Sequence, residues 1–464
     1  MPPQNRNDYD QNYQPEHNYV VRGTDFDDRR CLRATIDTVV LEARMTNLVD
    51  ALEADRDAML ALLAHLVQTP SLGGSAEEVS IQHMLGELFE REGLEVDLWS
   101  LDMAALARDA DFPGVEVDRR EAWGLVARLP GIGGGPSLMF NAHVDVVPPG
   151  DVAAWTHGEP FSGEIADGRL FGRGACDMKG GLVAAWWALR ALRRAQIRLT
   201  GDVLFACVVG EEDGGLGTFG LLRRGWRADA CVVPEPTGLD LVPANAGALT
   251  FRLRVRGHAT HASRRTEGVS ALDRFWPVWS ALRDLERRRN AEVDPLMSRW
   301  PMPYSLSIGR VRCGDWASSV PDLLEAEGRI GVALDETPEA ARGALENAVA
   351  EACARDPWLR EHPVEVEWWG GQFASGRLPA SSDLVDRMRA AHVAASPPGT
   401  RAPAVWGAPY GSDLRLLTGL GGIPTLHYGP GDAGLAHGPN ESVPLAEVAT
   451  AAHALALLAE DYLG

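Results

Sequence analysis

Five short segments of this chain end an apolar run with groups that bind cations or move protons. In FNAHVDVVP, His143 and Asp145 stand two residues apart and leave a strand on the same side. A carboxylate there could fix the tautomer of a metal-bound imidazole or orient a nearby general base, although an ordinary structural pair would look the same. In GRGACDMKGG, Asp177 lies in a glycine-rich turn where the backbone can approach an ion or ligand closely, a simple turn or helix N-cap being the alternative. In VVGEEDGG, Glu211 and Glu212 follow an apolar run directly; adjacent carboxylates there repel each other unless a cation or a proton is shared. CVVPEPTG places Glu235 between two prolines, and LAHGPNESVP offers His437 in a Gly/Pro loop.

The residues singled out comprise two imidazoles and four carboxylates beside Asp145, a donor set suited to a pair of divalent ions that share one carboxylate. Two ions about 3.5–4 Å apart bind a bridging hydroxide at neutral pH and polarise a carbonyl. One acid of the Glu211/Glu212 pair is then free to act as base while the other serves as ligand. Zinc is the expected metal, and the same donors accept cobalt or manganese.

Such residues converge only if their strands run side by side. The runs SLMFNAHVDVV, GDVLFACVVG, ADACVVPEP and GGIPTLHYGPG alternate with helical segments, of which GGLVAAWWALRALRRA after Lys179 is the clearest crossover. This alternation predicts an α/β fold with a mainly parallel central sheet, in which ligands bind beyond the carboxyl ends of the strands. Helical spacing begins near Thr46, breaks over residues 69–74, and resumes over 75–92. The preceding residues 1–45, rich in Asn, Gln, Asp and Arg at their start, are expected to form a flexible arm.

Between 248 and 368 the pattern changes. LTFRLRVRG alternates Leu249, Phe251, Leu253 and Val255 with Thr250, Arg252, Arg254 and Arg256, the period of a strand with one face in solvent. A helix is expected over 267–290, interrupted at Pro277, followed by the strands YSLSIGRVR and LLEAEGRIGVAL, a helix capped by Thr337 with Pro338 behind it, and the strand VEVEWW. The order β-α-β-β-α-β predicts a ferredoxin-like domain inserted into a larger one formed by 46–247 and 369–464.

Bulk properties narrow the function. A formal net charge of −21 without a basic block argues against nucleic acid as a partner. The six cysteines are scattered and form no disulfide framework or paired metal motif, which suits a reducing compartment. No secretory leader or membrane-spanning run is visible, so a cytoplasmic protein is expected.

The motifs HVDVVP, GRGACDMKGG, GEED, EPT and HGPNE, in that order, resemble those of the acetylornithine deacetylase, succinyl-diaminopimelate desuccinylase and carboxypeptidase G2 family of co-catalytic zinc hydrolases. The resemblance covers the chain from about Thr46 to its end and implies a metal-dependent amide hydrolase. It further implies that Asp177 bridges two ions, with His143 and Glu235 completing one site and Glu212 and His437 the other. Glu211 would be the general base and Asp145 would orient His143. A cis peptide would follow Asp177. In RGHATHASRRTEGVSALD, His261 matches a lid histidine that reaches the scissile carbonyl, often from the partner of a homodimer, with His258 as the nearby alternative.

The substrate side departs from the family pattern. Where relatives carry an Asn and an Arg near a Val-Pro segment, this chain has Ser318 and Gly331, so the usual lid guanidinium is missing. Arg329 could substitute, and Arg415 in YGSDLR is the stronger candidate for clamping a substrate carboxylate. The leading expectation is an N-acyl amino acid deacylase. A dipeptidase or carboxypeptidase with the same metal chemistry, and a non-hydrolytic relative that binds a small molecule or partner, are the alternatives.

Overall fold

The computed structural model describes residues 26–464, with side chains from Asn47 onward. The chain divides into two compact units, 1–47 and 48–464. The expected arm lies outside the described residues as far as 25; from Phe26 the backbone is helical, in a helix spanning Phe26–Gln68. It begins well before Thr46 because residues such as Leu32, Ala34, Ile36, Val39 and Leu41 already supply apolar and helix-forming content behind the polar start. The helix Ala76–Arg91 is capped by Ser75, whose hydroxyl accepts the Glu78 N–H.

The larger sheet has nine strands. At its centre Val203–Val208, Leu138–His143, Ala230–Val233 and Thr425–His427 lie side by side, all parallel. Antiparallel strands flank them, Trp123–Leu129 and Glu95–Ser100 on one side and Leu241–Asn245 and Gly376–Arg377 on the other. Every residue of the four central strands is buried, as their near-continuous apolar runs require for a sheet covered on both faces. Because these strands are parallel, their carboxyl ends share one edge, and His143, Glu211, Glu235 and the loop carrying His437 all follow from it.

The crossover helix Gly180–Arg194 starts hard against that edge. A Cβ on Gly181 would stand 1.8 Å from the Pro234 carbonyl oxygen, so only glycine lets the helix approach the strand end that bears Glu235. The C-terminal helix Leu445–Leu463 contributes buried Val448, Leu455 and Leu458 to the same core as Trp186 and Leu189 of the crossover helix.

A second, four-stranded sheet carries the order Leu306–Cys313, Leu323–Val332, Gly247–Arg256, Glu365–Phe373, with every pairing antiparallel. Numbered along the chain, this is the second, third, first and fourth strand, and with the helices Ala271–Arg289 and Pro338–Arg355 it gives the ferredoxin-like βαββαβ arrangement. Leu249, Phe251, Leu253 and Val255 are buried beneath the helices, while Arg252, Arg254 and Arg256 pair with Glu327, Glu325 and Glu365 on the opposite face. Thr250 departs from the expected alternation, being buried, because a loop of the larger domain covers it and Glu116 accepts its hydroxyl at 2.9 Å. The expected interruption at Pro277 does not occur. The proline is exposed, and so is Asp273, whose carbonyl loses its helical donor and faces water.

Candidate metal centre and active site

His143 ends its strand fully buried, held by three contacts. Its main-chain N–H donates to the Met178 sulfur at 3.2 Å, its Nδ1 lies 3.0 Å from the Asp145 carbonyl oxygen, and its Nε2 lies 3.1 Å from Asp177 Oδ1. The Asp145 carboxylate stands farther from the ring, at 3.7 Å, and instead accepts the main-chain N–H groups of Glu211 and Glu212, each at 3.2 Å. Asp145 therefore fixes the imidazole through its backbone and the glutamate pair through its side chain.

Asp177 sits in the irregular turn Ala175–Lys179, ahead of a cis peptide to Met178. Its other oxygen is 3.5 Å from His437 Nε2, which is itself 3.0 Å from Glu212 Oε2. The donor atoms of His143, Glu211 and Glu235 lie within 4.8 Å of one another, and so do those of His143, Asp177 and Glu212. Two triads that share His143 thus lie at the sheet edge, and His437 joins the second through Asp177 and Glu212. A cavity of about 860 Å³ opens on it, walled by apolar groups such as Leu72, Val147 and Phe373.

The electrostatics favour a cation. Burial lifts Glu211, Glu212 and Glu235 above the usual carboxylate range, and their mutual repulsion with Asp177 adds to it. Among the described residues no Lys or Arg forms an ion pair with any of the three. The imidazoles compensate only in part. Hydrogen bonds to Asp177 and Glu212 push His437 up to about 11. Burial opposes charge on His143, but the Asp177 hydrogen bond and the surrounding carboxylates outweigh it and hold its pKa well above the ordinary value. Buried carboxylates in excess, with imidazoles that must otherwise hold protons, match what a pair of divalent cations would neutralise.

Two buried ion-pair clusters support this edge. Glu441, fully buried, accepts the N–H groups of Cys176 and Asp177 at 3.1 and 3.2 Å and pairs with buried Arg173 at 2.5 Å. Arg119, also buried, joins Glu78 to Asp213, whose carboxylate further accepts the N–H groups of Glu116 and Val117. Glu78 in turn accepts the Gly210 N–H, so the turn bearing Glu211 and Glu212 is clamped from both sides. Glu441 and Arg173 belong to motifs visible in the sequence. Glu78 and Arg119 lie in segments with no such signal, and only the fold brings them here.

The two substrate-side arginines exchange places relative to expectation. Arg415 is buried away from the cavity: its guanidinium donates to the carbonyls of Ser412 and Gly214 and stacks 4.0 Å from the Phe373 ring centroid. With its donors spent on main chain, it braces the Gly214 turn and does not reach substrate space. Arg329 does line the cavity, half-exposed, 2.9 Å from Glu116. His261 is exposed on the inserted domain, its Nδ1 2.7 Å from Ser263 Oγ, and it does not line this chain's cavity; His258 is exposed as well.

Fold and site together define a metal-dependent hydrolase of the α/β class with an inserted βαββαβ domain. The chain belongs to the peptidase family M20/M25/M40, which it matches over residues 139–461. It is 26% identical over 415 residues to the N-formyl-4-amino-5-aminomethyl-2-methylpyrimidine deformylase of Halalkalibacterium halodurans, covering 85% of this chain and 92% of the relative. It is 37% identical over 216 residues to the succinyl-diaminopimelate desuccinylase of Methylorubrum extorquens, covering 44% and 51% respectively. A tripeptidase structure from Staphylococcus aureus superposes with a TM-score of 0.67 at 22% identity, covering 88% of this chain and 98% of that one, and shares the fold. The chain is accordingly an amide hydrolase that uses metal. No helix among the described residues is long and apolar enough to cross a membrane.

Proposed function

We propose that this protein is an N-acyl amino acid deacylase with two zinc ions at the sheet edge. The observation that carries the reading is a pair of adjacent donor clusters, His143 with Glu211 and Glu235, and His143 with Asp177 and Glu212, the second extended by His437. Asp177 would be the shared ligand, with His143 and Glu235 holding one ion and Glu212 and His437 the other; the approach of its two oxygens to different imidazoles supports that division. When bound, such ions would supply Lewis-acid charge to a scissile carbonyl and would acidify the attacking water.

Glu211 is the general base. Burial raises its proton affinity, which suits a group that takes a proton from the attacking water and returns it to the leaving nitrogen. Asp145 holds the Glu211 main chain so that the carboxylate keeps its aim. Arg329, on the inserted domain at the cavity wall, meets a substrate carboxylate, and Glu116 occupies it until substrate arrives. His261, exposed and turned away from its own cavity, serves the site of a second copy in a cytoplasmic homodimer.

Metal analysis of wild type and Glu211→Ala, with amine release from N-acetyl, N-succinyl and N-formyl amino compounds and dipeptides, tests the reading. About two ions per chain in both proteins, and turnover lost only in the variant, is the expected result. Cleavage of dipeptides alone would replace deacylase by dipeptidase. Undiminished turnover by the variant would remove Glu211 from its role.

A further inference from the structure

Tyr410 follows Pro409 at the end of the strand Val405–Ala408, on the floor of the cavity. Its side chain packs against the small apolar cluster of Val242, Trp406 and Ala408. Its hydroxyl is buried and has no hydrogen-bond partner. Tyr410 lines the same cavity as Asp177, Glu211 and Glu235, and burial, with the negative charge of those groups and of Cys176 added to it, pushes the phenol well above its ordinary pKa. A buried O–H donor left unsatisfied at a cavity that carboxylates also line costs free energy, and the arrangement persists where a ligand takes the hydrogen bond.

The other side-chain donors on the cavity wall are placed differently. His437 is engaged by Glu212 and Asp177, Arg329 by Glu116, and exposed Ser305 stands on the inserted domain. His261 does not line the cavity of its own chain. Among the described side chains that line the cavity, Tyr410 is therefore the donor of the larger domain left without a partner.

We infer that Tyr410 is a catalytic residue whose hydroxyl donates a hydrogen bond to the substrate carbonyl oxygen as it becomes a tetrahedral oxyanion. No bond to the tyrosine forms and its proton stays on the phenol; the bond strengthens as charge grows on the oxygen, which is what lowers a barrier. The inference rests on the metal-centre reading above.

Inorganic phosphate is a tetrahedral oxyanion that needs no knowledge of the natural substrate, and it is the probe. Wild type, Tyr410→Phe and Ser305→Ala are loaded with cobalt, metal content and thermal midpoint are measured, and phosphate is titrated against the visible cobalt bands. The expected result is equal cobalt content and midpoint in all three, with phosphate bound about tenfold more weakly by Tyr410→Phe alone, the loss of one hydrogen bond to a charged group. On any amide that wild type cleaves, the same variant should lose at least tenfold in kcat with KM within twofold. Unchanged phosphate affinity overturns the inference. So does loss of cobalt from Tyr410→Phe, which would place the hydroxyl among the groups that hold metal. Failure of wild type to take up cobalt overturns the metal-centre reading itself and this inference with it.

Discussion

Glu441→Ala removes the acceptor beneath Asp177. In the native fold the Glu441 and Arg173 side chains are 0% and 1% exposed and pair at 2.5 Å, and the carboxylate also satisfies two main-chain donors. The alanine strands a buried guanidinium whose remaining contacts are the Pro148 carbonyl at 3.3 Å and the Trp155 ring at 5.5 Å. Breaking a buried pair from one side costs about 3–5 kcal/mol. The two orphaned N–H groups push toward the upper end of that range without adding in full. Because the lost bonds hold the turn that aims Asp177, metal affinity should also fall, by about ten- to a hundredfold as for other supports of metal ligands. At fixed free metal this withdraws a further ~1.4–2.7 kcal/mol from the loaded protein. Urea denaturation with and without chelator separates the two contributions, and a competition titration reads metal affinity directly. Glu441→Gln keeps the shape and one acceptor and should fall between. A chelated Glu441→Ala protein within 1 kcal/mol of wild type, holding metal as tightly, would refute the argument.

Other consequences are smaller in scope. Glu78, raised to about 7 by burial and by Asp145 against the opposing pull of Arg119, binds its proton more tightly folded than at its ordinary 4.5. Its stabilising contribution is therefore present below pH 4.5 and is lost as pH rises through 7, and Glu78→Gln should flatten the stability profile across that window, seen by denaturation at closely spaced pH values. In metal-free protein His437 is held protonated by Asp177 and Glu212, so metal uptake should release protons and strengthen with rising pH. Calorimetry in buffers of different ionisation enthalpy would detect that release, and buffer-independent heats would contradict it. Arg119→Met leaves Glu78 and Asp213 unpaired in the interior and should lower stability by about 3–5 kcal/mol while reducing turnover through the Glu211 turn; a stable variant with native kcat would argue against the clamp. Arg329→Ala should raise KM for carboxylate-bearing substrates about tenfold or more with little change in kcat, whereas an equal rise for uncharged amides would mean a purely structural loss.

Much of this was legible before any coordinates. His143, Asp177, Glu211, Glu212, Glu235 and His437 each stand directly after an apolar run or in a glycine- or proline-rich turn, and a parallel sheet can bring such positions together at only one edge. The β-α-β-β-α-β order of the four-stranded sheet and its two helices was equally readable, because its strands alternate and that order matches one arrangement. Local pattern carries these features because strand period, caps and turns are properties of neighbouring residues. What it could not carry is anything set by residues distant in sequence. Arg415 and Arg329 were ranked on motif alone, and the ranking reversed once packing committed one guanidinium to main-chain carbonyls and left the other at the cavity wall. Glu78 and Arg119 acquire their work only because one helix and one loop fold against the Glu211 turn, and Tyr410 stands out only because packing leaves its buried hydroxyl without a partner at the cavity. The sequence by itself determined which groups could hold metal and move a proton, since that is a matter of residue type at strand ends. Tertiary structure alone decided which charges are buried, which donors are already spent, and which remain for a ligand, since burial and pairing depend on contacts across the chain.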